Sequence, residues 1–93
     1  MAVSVQMMAQ QLQLAPDTLI QRSLVAFLER EIRAVRMDIA DLQDRYNAHS
    51  VVDLRAKIEY GEIYSHPAWE DAIEWETLNS YCQRLQQLLD ISG

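Results

Sequence analysis

Apolar residues between Pro16 and Tyr46 recur in a strict heptad rhythm. Val25, Leu28, Ile32, Val35, Ile39, Leu42 and Tyr46 step by 3, 4, 3, 4, 3 and 4, the a/d seam of a helix built to lie along another helix. No Gly or Pro interrupts the run after Pro16, and charged residues fill the positions around it. The pattern predicts one helix over about 16–47. At about 1.5 Å per residue such a helix reaches roughly 46 Å, whereas a compact chain of this length has a radius of gyration of about 12 Å. A sphere of this size cannot hide it, so it must kink, or lie along another long helix, from this chain or from a second copy.

The flanking pattern supplies three more elements. Val5, Met8 and Leu12 fit one helical face, although Val3, Val5 and Met7 also alternate as a strand would. Met, Ala, Gln and Leu are good helix formers, which favours a short helix at 4–13. Ala15-Pro16-Asp17 breaks and restarts the chain, with proline and an acid in the first turn. Leu19, Ile20, Leu24, Phe27 and Leu28 then make the first half of the long helix apolar over a broader face than a two-stranded seam needs. Asn47-Ala48-His49 ends it. Ser50 offers a cap with Asp53 three residues on, a shortened capping box, and Val51, Leu54 and Ile58 line a short helix at 51–60 that Gly61 stops. A final helix at about 67–90 starts near Pro67, capped by Ser65 or His66, and its Trp75, Leu78, Cys82, Leu85 and Leu89 repeat the 3-4 step. This helix could fold back antiparallel on the long one. Alternatively, Ile and Val at a with Leu at d would favour a parallel pair of copies. The expectation is an all-α single domain over 1–93 that forms a helical homodimer, residues 1–47 serving dimerisation through Val25, Leu28, Ile32, Val35, Ile39, Leu42 and Tyr46, and residues 48–93 serving a partner.

Composition narrows the function. A net charge of −6 with pI near 4.7 argues against a phosphate-binding surface as the main task. The lone cysteine, Cys82, can form no internal disulfide, which suits a reducing cytoplasm. No apolar run approaches the ~20 residues of a membrane span, and the first residues have no basic region of the signal-peptide kind. The expected location is cytoplasmic.

Charge is uneven along the chain. Seven of the eight basic residues lie between Arg22 and Lys57, while Glu59, Glu62, Glu70, Asp71, Glu74 and Glu76 are unrelieved by a base until Arg84. Tyr60, Tyr64, Trp69, Trp75 and Tyr81 fall in or beside this acidic zone. Aromatic side chains anchor interfaces and clustered carboxylates steer a basic partner, so Tyr60, Glu62, Tyr64, Trp69, Glu70, Asp71 and Glu74 are the candidate partner-binding residues. The plainer alternative is that the tryptophans are core and the acids merely solvated; Trp75, on the seam, reads as core. His66, Glu70 and Glu74 share a helical face, but one histidine with scattered carboxylates is too weak a set to assign a metal. His49 reads as a polar turn residue and Cys82 as a small buried thiol. No catalytic motif and no cofactor is indicated. A helix-turn-helix over residues 8–24 would read DNA with Thr18, Gln21 and Arg22, yet no Lys or Arg precedes Arg22. A ribbon-helix-helix would need Ala2–Met7 as its strand, and that strand leaves too few residues before Pro16 for the first helix.

The run from Asp44 to Tyr81 resembles a tail found in small prokaryotic antitoxin-like proteins of toxin–antitoxin pairs. The matching residues are Tyr46, Ser50, Gly61-Glu62-Ile63, His66-Pro67-Ala68-Trp69-Glu70-Asp71 and Glu74-Trp75. The resemblance implies a non-enzymatic protein that binds a partner toxin, with autoregulation of the operon; it departs from typical members in lacking a basic N-terminal DNA-reading element. A carboxylate cluster can stand in for nucleic-acid phosphates, so a basic, nuclease-like partner fits. Nucleic acid itself is not an expected ligand of the isolated chain. The other readings are a small DNA-binding regulator using the N-terminal helices and a structural coiled-coil adaptor.

Overall fold

Two long antiparallel helices set the shape of the molecule. The computed structural model describes residues 4–92, in the order α1 (Val5–Leu12), α2 (Pro16–Tyr46), α3 (Val51–Glu59) and α4 (Ser65–Ser92). The described residues are helical apart from short connections, and none of them is in a strand. The strand alternative for the N-terminus rested partly on Ala2 and Val3, which lie outside the described residues. His66 is extended (φ −115°, ψ 127°), so the regular part of α4 begins at Pro67. The chain measures 60 × 29 × 16 Å with a radius of gyration of 19.2 Å, well above the about 12 Å of a compact chain of this length.

Each helix start and stop has a local cause. The Ser4 hydroxyl accepts from Met7 N–H (3.4 Å) and caps α1, and the Ser50 hydroxyl accepts from Asp53 N–H (3.1 Å) and caps α3. Asp53 reaches back to accept from His49 N–H (3.0 Å), one residue further than in a standard capping box. Three helices end alike, with one residue in the left-handed region: Gln13 (φ 58°), Asn47 (φ 49°) and Gly61 (φ 77°). In each, the N–H of the following residue returns five residues back: Leu14 to Ala9 O (2.8 Å), Ala48 to Gln43 O (3.1 Å) and Glu62 to Lys57 O (2.9 Å).

Packing then chooses between the partners the seam could have had. α2 is covered chiefly by α4 of the same chain, with α3 against α4 and α1 against α2. Leu28, Ile32 and Val35 meet Leu85, with Cys82 and Leu89 at the margin. Further along, Leu42 joins Ala48, Val51, Leu54, Ala68, Ala72 and Trp75. Ile39 and Leu78 touch both groups, making one continuous core. The seam assigned to dimerisation is therefore covered from within the chain: Leu28, Ile32, Val35 and Leu42 are buried, while Ile39 and Tyr46 are partly so. Val25, at its open end, is half-buried and belongs to neither group. The reason is connectivity. The α3 turn holds α4 beside α2, so pairing them brings none of the translational cost of recruiting a second chain. It also means that residues 1–47 and 48–93 do not pack as separate halves.

Candidate functional site

The acidic end of the molecule is built where the C-terminal half of α2, α3 and the start of α4 meet. Its base is rigid. Trp75 (2% exposed) and Leu54 (0%) are its largest sealed side chains, and the zero exposure of Ala68 and Ala72 reflects the close approach that small residues allow between helices.

Several charges in this zone are neutralised locally. Asp71 accepts from Arg45 Nη1 (3.0 Å) and from the Tyr46 hydroxyl. Its side chain is only 15% exposed, so Asp71, read above as a partner-binding residue, serves instead to tie α4 to the end of α2. The same carboxylate raises Arg45 above its ordinary pKa, mainly through the hydrogen bond. Tyr46 is raised first by burial and then by its hydrogen bond to Asp71. Glu76 accepts from Arg55 Nε (2.9 Å), and the Arg55 guanidinium carbon stands 4.7 Å from the Trp69 ring centroid. Arg55 thus links α3 to two residues of α4 through charge and through the ring face.

Other residues of the zone remain open to solvent. Tyr60 is 80% exposed, Tyr64 91% and Trp69 49%. Glu62 and Glu74 are exposed and take part in no ion pair among the described residues; Glu70 has His66 Nδ1 at 3.6 Å. Of the seven candidate residues, six are exposed and Asp71 is not. The antiparallel pairing adds two acids that sequence spacing could not place. Asp38 and Asp41 of α2 line a shallow cleft of about 200 Å³ together with Arg45 and Glu74. Locating them needs the α2–α4 register, which residue spacing within one helix does not carry.

A second surface lies at the opposite end. Ser4, Val5 and Met8 of α1 and Leu19, Ile20, Ser23 and Leu24 of α2 line an open apolar groove of about 360 Å³. The signal for it was the broad apolar face of the first half of α2, more than the seam required. The residues of the DNA-reading alternative are here: Thr18 is half-buried, the Gln21 amide donates to the Ser92 carbonyl, and Arg22 is exposed.

The sequence relationships span this whole architecture. The chain belongs to the uncharacterized protein MJ0235 family. That family's model matches residues 1–91, from before α1 almost to the end of α4. No curated protein and no solved structure matches the chain. No described helix is long and apolar enough to cross a membrane, and no three His, Cys, Asp or Glu among the described residues gather as a metal site would require.

Proposed function

We propose that this chain is a non-enzymatic protein-binding module that acts in the cytoplasm as an antitoxin, occupying a basic site on a toxin partner with its acidic end. The observation that carries the reading is the exposure of Tyr60, Tyr64 and Trp69 beside Glu62, Glu70 and Glu74, three carboxylates with no Lys or Arg ion pair among the described residues. Large aromatic side chains kept in water are costly to a folded chain and gain most when a partner desolvates them. The unpaired carboxylates supply long-range attraction for a positively charged surface. Beneath them, Trp75, Leu54 and the Asp71 bridge hold the surface in a fixed shape, so little ordering cost remains to be met on binding. The resemblance of Tyr46 to Tyr81 to antitoxin tails supports the same partner class.

Co-expression with the neighbouring gene product tests the reading. The two proteins are expected to co-purify, and the toxicity of the partner to be relieved. Trp69→Ala combined with Glu70→Lys should weaken the complex by about 2–4 kcal/mol, the scale of a hot-spot loss. Absence of co-purification and of neutralisation refutes the antitoxin role. Binding that ignores the double substitution would favour a coiled-coil adaptor.

A further inference from the structure

The groove at the α1 end is an apolar feature that the acidic surface leaves unexplained. Val5, Met8, Ile20 and Leu24, which line it, are each 43–51% exposed, and Leu12 and Phe27, on the same two helices outside the groove, are 53% and 55% exposed. Together they leave on the order of 500 Å² of apolar surface in water, at the upper end of what a free monomer shows. With a polar rim this approaches the about 800 Å² per partner of a standard interface.

Charge distribution says what should cover it. Residues 1–33 contain three acids (Asp17, Glu29, Glu31) and three bases (Arg22, Arg30, Arg33), so this end is neutral. The remaining eleven acids and five bases, all beyond residue 33, hold the entire −6. No Asp, Glu, Lys or Arg lines the groove itself; Arg22, Arg30 and Arg33 share a neighbouring cleft of α2 with Glu29. Two copies of this chain can bring their neutral ends together while their acidic ends point away from each other. Any pairing through the acidic ends would set like charges face to face.

We infer that the α1–α2 groove is a homodimer interface, in which a second copy packs its own α1 and the first half of its α2 across a two-fold axis. A two-fold contact uses the same patch on both copies, and here the patch is apolar with balanced charge at its edge. Leu24 and Phe27 of each copy cover the groove of the other. The dimer leaves both acidic surfaces free, one at each far end.

Sedimentation equilibrium and light scattering test this directly. The unaltered chain should be dimeric at about 100 µM, well above the Kd of a micromolar interface. Leu24→Glu with Phe27→Glu should weaken the dimer at least about ten-fold and leave the helical circular-dichroism signal intact, since both side chains are exposed in the single chain. Tyr64→Ala with Glu70→Lys should leave the dimer unchanged. Hydrogen exchange on the unaltered protein is a second measure, independent of any variant. Amides of α1 and of residues 16–28 should gain protection as concentration rises, and amides of residues 60–74 should not. A chain that stays monomeric, a dimer insensitive to the Leu24 and Phe27 changes, or concentration-dependent protection confined to the acidic end would each overturn the inference. A monomer whose groove is protected only by a different protein would do so as well.

Discussion

The two ends of this molecule are opposites in packing and in charge. At the α3 end, three helices enclose Leu54, Ala68, Ala72 and Trp75 at 0–2% exposure, and ion pairs join the helices across the surface. At the α1 end, a short helix lies on α2, Ala9 is its one buried residue, and Val5, Met8, Leu24 and Phe27 remain half in water. The net charge belongs to the well-packed end, which also exposes Val52, Tyr60, Tyr64, Trp69 and Ile73 one by one around its core, and the open apolar groove belongs to the neutral one. The difference teaches that stability and unsatisfied hydrophobicity have been separated along the long axis. One end has a sealed core beneath its exposed aromatics, and the other has an apolar groove with a single buried residue of α1 beneath it.

The sharpest way to break this contrast is to cut the same kind of side chain at each end. Trp75→Ala should cost about 3–5 kcal/mol, because a sealed indole leaves a cavity its neighbours only partly fill. Phe27→Ala, at 55% exposure, should change the monomer's stability by no more than about 0.5 kcal/mol. Urea denaturation at a concentration too low for association reads both. Equal losses would mean that the α1 end is packed after all.

A smaller effect is expected at the Asp71 bridge. Asp71→Ala leaves the partly buried Tyr46 hydroxyl without its acceptor and should cost about 1–3 kcal/mol. The Tyr46 hydroxyl also gives a pH signature, through its burial first and its hydrogen bond to Asp71 second. The folded chain holds the Tyr46 proton above its ordinary pKa of 10.0, so the unfolded chain releases that proton first as pH rises. The stability it contributes is complete below pH 10 and is lost as pH climbs from there through the raised folded value. Denaturation midpoints between pH 9 and 11.5 should fall less steeply in Tyr46→Phe; an identical slope would mean that Tyr46 keeps its ordinary pKa in the folded chain.

The smallest effects concern the left-handed helix ends. A Cβ at Gly61 would meet nothing within 4 Å, so Gly61→Ala isolates the backbone cost of φ 77°, about 1 kcal/mol. At the other end the sign reverses: Gln13→Gly should relieve the strain of φ 58° and steady α1 by up to about 1 kcal/mol, less the added freedom of the unfolded chain. Thermal melts of the two variants moving in opposite directions would sharpen the contrast.

Local chemistry was enough to place all four helices from the residues alone. Ser4, Pro16, Ser50, Asn47 and Gly61 act on their immediate neighbours, and the 3-4 spacing of α2 and α4 needs no tertiary context to mark an apolar stripe. The exposed Tyr60 and Tyr64 were legible as well, since they fall in a loop among acids, whereas the spacing left Trp69 open between core and surface. Three things depended on the fold. The stripe of α2 could have met a second copy or α4, because both present the same apolar spacing; the short connection through α3 decides for α4 by making that contact intramolecular. Asp71 looked like one more solvated acid until α4 lay beside α2 and brought it to Arg45 and Tyr46. The broad apolar face at Leu19, Ile20 and Leu24 was visible in the pattern, but that it stays uncovered follows from α1 being only eight residues long and lying against α2. Periodicity states which face of a helix is apolar; which neighbour covers it is settled by chain connectivity and length.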